Sequence, residues 1–161
     1  MSGPGHPAHL VRRFFGTLRS RRPSPGDQLL VGARLRPEEA ALFWAQPVPD
    51  QAHGVATARV VMERRPDRPD LARAALLHDV GKRRCGLGVM GRSIASILAF
   101  TRIPTRGRYA MYLDHGTLGA EDLENAGSDD LTVGFARHHH GVRPEGIDPG
   151  DWEVLARADD E

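Results

Sequence analysis

The chain has 161 residues and a single cysteine, Cys85, which suits one domain with a real core and excludes an internal disulfide or a Cys-rich zinc site. Its formal net charge of +1 provides no global attraction to nucleic acid, and no such partner is expected. The longest apolar run, Ile94 to Phe100 broken only by Ser96, is too short to cross a bilayer, and the N-terminal Gly, Pro and His residues lack the apolar stretch of a signal peptide, so a reducing cytoplasm is the expected compartment.

In chain order, Leu10, Phe14 and Leu18 lie one helical turn apart with Val11 and Phe15 beside them, and Arg12, Arg13, Arg19, Arg21 and Arg22 crowd the other side and the end. This pattern describes a short basic amphipathic helix, either docked on the domain with solvated arginines or lying on an anionic partner or membrane surface. Residues 22–27 break it, and residues 1–36 as a whole are expected to form this helix and a linker, with the folded domain over 37–161.

Pro37, Glu38 and Glu39 start a helix to about Ala45. Asp50 is a fair N-cap for another to about Arg65, on which His53, Ala56, Val60 and Val61 share a face. His53 is then either a satisfied core histidine or a ligand. After the turn at 66–69, Asp70 opens a helix whose face runs Leu71, Ala74, Ala75, His78, with Asp79 about 100° further round and Gly81 as its stop. An imidazole and a carboxylate at the edge of a buried face are costly unpaired, and a shared divalent cation satisfies both. Lys82 is the only lysine among 22 basic residues; it is either a last-turn cation or a contact to a phosphate oxygen.

An apolar helix is expected from Ser93 to Phe100, then an irregular stretch to Arg108 whose arginines are either solvated or a clamp on a phosphoryl group. His115, Leu118, Gly119 and Leu123 share the face of a helix ending near Ala126, with Gly127 as its C′ residue. Ser128 is expected to cap the next helix, on which Leu131, Phe135, His138 and His139 lie toward the buried edge while His140 turns away; Gly141 ends it. Asp148-Pro149-Gly150-Asp151 starts the last helix, with Trp152, Leu155 and Asp159 in one stripe. Asp159 is then either an ordinary terminal charge or an inward ligand. No stretch has strand periodicity, so the fold class expected is all-α, a compact helical bundle with an extra N-terminal helix.

Helical bundles build metal sites from inward-facing ligands on different helices, and His53, His78, Asp79, His115, His138 and Asp159 are each in line with apolar neighbours. The order His53, His78-Asp79, Asp159 resembles the H…HD…D signature of the HD-domain superfamily of metal-dependent phosphohydrolases, most specifically at Leu76-Leu77-His78-Asp79-Val80-Gly81-Lys82. His115 with Gly119-Ala120 and Leu123, and the pair His138-His139, resemble segments of HD proteins with two metals. Gly116 departs from the Pro frequent there, and the Gly-Tyr-Pro of the cyclic-di-GMP phosphodiesterase branch is absent, which argues against that substrate. The resemblance implies one metal on His53, His78, Asp79 and Asp159, and a second on His115, His138 and His139 with Asp79 bridging. It further implies catalytic roles for Asp79 and Lys82, and one or two ions of Mn, Fe, Co, Ni or Zn. The expected substrate is a phosphomonoester or phosphodiester, nucleotide-like, cleaved by a metal-activated water. A regulatory or nucleotide-binding module without turnover, or a di-iron oxygenase on the same scaffold, are the alternatives.

Overall fold

The computed structural model describes residues 21–161, among which every regular element is a helix and there is no strand. The helix expected over Leu10–Leu18 lies outside the described residues. Residues 23–36 are not a linker. Ser24 and Asp27 form a reciprocal capping box, with the Asp27 amide on Ser24 Oγ at 3.2 Å and the Ser24 amide on Asp27 Oδ2 at 2.8 Å. They start helix α1 (Pro25–Arg34), so a helix begins inside this Pro/Gly-rich stretch. Val31 and Leu35 enter the main core.

Helix α2 (Pro37–Trp44) begins as its Pro and acidic residues predict, with the Glu39 carboxylate returning to the Arg36 amide at 3.0 Å. Helix α3 (Val48–Arg64) starts two residues ahead of Asp50, after Pro47. Asp50 is thereby freed from capping, and Arg92 grips it at 2.5 and 2.7 Å. Helix α4 (Pro69–Leu77) is central: all of Leu71 to Leu77 except Arg73 is buried, and α1, α2, α3, α9 and α10 pack around it. The short α5 (Lys82–Cys85) and helices α6 (Val89–Phe100) and α7 (Arg108–Leu113) follow. The sequence pattern does not foresee α7.

Helix α8 (His115–Asn125) ends as expected, Gly127 adopting φ 70° while the Ser128 amide returns to the Leu123 carbonyl at 2.9 Å. Asp129, not Ser128, caps α9 (Asp130–His138), accepting the Thr132 amide at 2.8 Å. Ser128 Oγ instead donates to the buried Glu39 carboxylate at 2.8 Å. Asp148 caps α10 (Pro149–Asp160) through the amides of Gly150 and Asp151. The main core is built from Val31, Phe43, Val61, Leu71, Leu76, Leu77, Leu123, Phe135 and Leu155, all essentially inaccessible. Cys85, Leu87 and Ala95, with Tyr109 and Tyr112, form a separate small cluster under α6 and α7. Among the described residues no helix is long and apolar enough to cross a membrane.

Candidate metal centre

Five segments bring their polar side chains to one point beside α4: His53 from α3, His78 and Asp79 from the turn after α4, His115 at the start of α8, His139 and His140 at the end of α9, and Asp159 near the end of α10. Asp79 is the hub. Its Oδ1 lies 3.3 Å from His115 Nε2 and 3.5 Å from His139 Nε2, and its Oδ2 lies 3.4 Å from His78 Nε2 and accepts from Lys82 Nζ. Asp159 Oδ1 is 2.8 Å from His53 Nε2 and 3.1 Å from His78 Nε2. These donors form three overlapping groups able to hold a cation: His53, His78 and Asp79; His78, His139 and Asp159; and Asp79, His115, His139 and His140.

Backbone approach seats the His115 side of this cluster. Gly81 has ordinary right-handed dihedrals (φ −66°, ψ −22°), so it is no left-handed helix stop. What it needs is space, because a Cβ there would lie 1.9 Å from the His115 carbonyl oxygen. On the other side of α8, a Cβ on Gly116 would lie 2.9 Å from the Arg137 carbonyl oxygen. The first turn of α8 is thus wedged between the turn after α4 and the end of α9, and a Pro at 116 has no place in that seam.

Hydrogen bonding fixes what the rings present. Nδ1 of His78, His115 and His139 each donates to the carbonyl three residues earlier, those of Ala75, Tyr112 and Ala136, at 2.8, 2.6 and 2.8 Å. A carbonyl only accepts, so each Nδ1 carries a hydrogen and a neutral ring aims a bare lone pair from Nε2 into the cluster. His115 Nε2 and His139 Nε2 face each other at 3.3 Å, with Asp79 Oδ1 beside both. Acceptors packed on acceptors repel unless a cation lies among them. His78 Nε2 and Asp79 Oδ1 are buried without a hydrogen-bond partner. Imidazole nitrogens and carboxylate oxygens together suit a divalent transition ion, so the residues present fit one.

Without an ion, a proton takes the cation's place on one ring. Burial depresses the His78 imidazole, but the carboxylates of Asp79 and Asp159 together outweigh it and lift the ring to about 10, so Nε2 is bare only when an ion replaces that proton. Burial would raise Asp79, yet Lys82 and His78 hold it well below the carboxylate range, and His78 and His53 do the same for Asp159. His139 is lowered by burial, which favours the neutral, ligating form.

The structure brings together His53, His78, Asp79, Lys82, His115, His139 and Asp159 as the sequence places them, with one correction. His138 joins none of the ligand groups and lines an open pocket of about 230 Å³ with Leu113, Asp114, Thr117 and Arg137; His140 takes the expected place. Helix α9 ends at His138, so His139 continues the Phe135 face as its C-cap, and His140 falls in the turn beyond. There the helical spacing no longer applies, and its ring stacks back on His139 and toward His115 with centroids 3.9 and 5.1 Å away. Arg108, one of the expected phosphoryl clamps, is committed to the carbonyls of Cys85 and Gly86.

No protein-family model, no curated protein and no solved structure matches the chain. The class of this site therefore rests on its own geometry and donor set: a cluster of histidines and aspartates in an all-helical bundle, able to hold a metal ion.

Proposed function

We propose that the chain is a metal-dependent phosphohydrolase of the HD-domain kind, acting on a nucleotide-like phosphomonoester or phosphodiester. The observation that carries the metal part is the acceptor-to-acceptor packing of His115 and His139 on Asp79. His53, His78, Asp79 and Asp159 would hold one ion, and Asp79, His115, His139 and His140 a second, with Asp79 common to both. Divalent ions bound there supply Lewis acidity and an activated water for attack on a phosphoryl group.

The chain's own residues do the rest. The backbone carbonyls behind His78, His115 and His139 lock each ring with Nε2 inward, so the donors need little reorganisation when an ion binds. Lys82, buried against Asp79 Oδ2, keeps a fixed positive charge in the cluster for a phosphate oxygen. The pocket beside His139 and His140 gives a phosphoryl group a way in, and His138 and Arg137 on its wall orient the substrate.

The test is a screen of metal-reconstituted protein against nucleoside mono-, di- and triphosphates, cyclic nucleotides and simple phosphoesters. Turnover that Asp79→Ala abolishes and Lys82→Ala lowers while retaining metal is the expected result. Metal-loaded protein that hydrolyses none of them, yet binds a nucleotide, would make the chain a binding module.

A further inference from the structure

Among the described residues, α6, the turn after it and α7 carry a run of exposed large apolar side chains. On α6, Met90, Ile94 and Ile97 follow one another a turn apart at 68, 43 and 57% exposure, Phe100 at the helix end is 76% exposed, and Ile103 just beyond it 52%. Met111 and Leu113 of α7 are exposed as well. Helix α6 rests its other side, through Ala95, on the small cluster with Cys85 and Leu87, and Arg92 ties it to α3 at Asp50. Large side chains exposed in one contiguous stretch mark a surface that meets something.

The charge around this surface selects the partner. No Asp or Glu occurs between Asp79 and Asp114. Of the arginines in that interval, Arg83 and Arg84 pair with Asp122, Arg92 with Asp50, and Arg108 bonds backbone carbonyls. Arg102 and Arg106, directly after Phe100, are exposed, and among the described residues neither has a carboxylate within ion-pair distance. A second copy of the chain fits this stretch poorly, because a two-fold contact would set these guanidinium groups against the same stretch of its partner, which carries no Asp or Glu from Val80 to Leu113. An anionic bilayer fits both features: apolar side chains enter the acyl boundary while guanidinium groups stay among the phosphates.

The tip is also built to hold its shape. Arg102 closes α6 in the left-handed region at φ 55°, and the Ile103 amide returns to the Leu98 carbonyl at 3.0 Å, which fixes Phe100, Arg102 and Ile103 in one turn.

We propose that α6 and the loop after it dock the chain on the surface of an anionic lipid bilayer, with Met90, Ile94, Ile97, Phe100 and Ile103 inserted and Arg102 and Arg106 at the headgroups. The proposal is independent of the reaction at the metal centre. Leu113, exposed at the end of α7, also lines the pocket beside His139.

Flotation of the full chain with vesicles of phosphatidylcholine carrying about 30 mol % phosphatidylglycerol, compared with phosphatidylcholine alone, tests it. Binding to the anionic vesicles at about 100 mM salt, at least about tenfold weaker to neutral ones, is expected. A loss of at least about tenfold is also expected in Ile97→Ser with Phe100→Ser, and in Arg102→Glu with Arg106→Glu. Phe100→Trp, which keeps the apolar surface intact, should add a blue-shifted fluorescence component on anionic vesicles that the parent chain does not show. The proposal is overturned by absence of binding to anionic vesicles, by binding that survives both double substitutions, or by no added shift from Trp at position 100. A dimer in sedimentation that Ile97→Ser with Phe100→Ser makes monomeric, without vesicle binding, would assign the face to a contact between copies and equally overturn it.

Discussion

Gly81→Ala isolates the geometry on which the His115 side of the centre depends. At φ −66° alanine is not strained, so the whole effect is steric. The new methyl would stand 1.9 Å from the His115 carbonyl oxygen and 2.6 Å from the Gly119 amide nitrogen, about 1.5 Å short of ordinary contact at the first. Both neighbours are backbone, and α8 has little room to retreat, because a Cβ on Gly116 would already stand 3.0 and 2.9 Å from the Ala136 and Arg137 carbonyl oxygens. Overpacking between rigid partners costs about 3 kcal/mol, which for a domain of this size lowers the melting temperature by roughly 6–12 °C. His115 must also move by more than the roughly 0.5 Å that a ligand constellation tolerates, so metal held beside Asp79 is lost. Thermal unfolding followed by circular dichroism, with metal content per chain, measures both. Gly119→Ala, whose Cβ would come no closer than 3.0 Å to the Gly81 amide nitrogen, should show a smaller loss of stability. Gly32→Ala, with nothing within 4 Å on an exposed helical position, should gain about 0.5–1 kcal/mol. If Gly81→Ala melts with the parent chain and keeps its metal, α8 is not seated on the turn after α4 and the reasoning fails.

At the triple histidine, His139→Ala should lose metal, His140→Ala should weaken its retention and His138→Ala should keep it; retention in His139→Ala with loss in His138→Ala would mean that α9 ends elsewhere. Arg92→Ala leaves buried Asp50 without its partner and detaches α6, at a cost of about 3 kcal/mol in denaturant unfolding; a change below about 1 kcal/mol would contradict the tie. Burial alone would raise the Glu39 carboxyl, but its hydrogen bonds from Arg36 and Ser128 hold it below its ordinary 4.5. Its stabilising contribution is therefore complete above about 4.5 and is lost as pH falls through the lower folded value. The stability gap between the parent chain and Glu39→Gln should narrow on acidification below 4.5; a gap that widens there would reverse the sign of the argument.

Much of the centre was legible because it is written in helical periodicity. His53, His78, His115 and Asp159 continue apolar faces on four different helices, and burial of those faces delivers the side chains to one place. The illegible parts are those where periodicity stops. His140 lies past the end of α9, so the helical spacing that carries His139 inward misdirects its neighbour. Gly81 reads as a helix stop because glycine is common there, whereas its role is to let two backbones touch, a long-range fact with no local signature. Ser128 and Asp129 are both good caps, and only the position of Glu39 across the fold decides which of them does the capping. The start of α1 is hidden for a local reason: Ser24 and Asp27 complete a capping box inside a stretch rich in Pro and Gly.

The most direct test of the central claim is metal content per chain by inductively coupled plasma mass spectrometry, on protein purified without an affinity tag and then reconstituted with Mn, Fe, Co, Ni or Zn. About one to two equivalents of a divalent transition ion per chain, falling to background in Asp79→Ala, is the result this account requires. Background levels after reconstitution, or equal retention by Asp79→Ala, would contradict it.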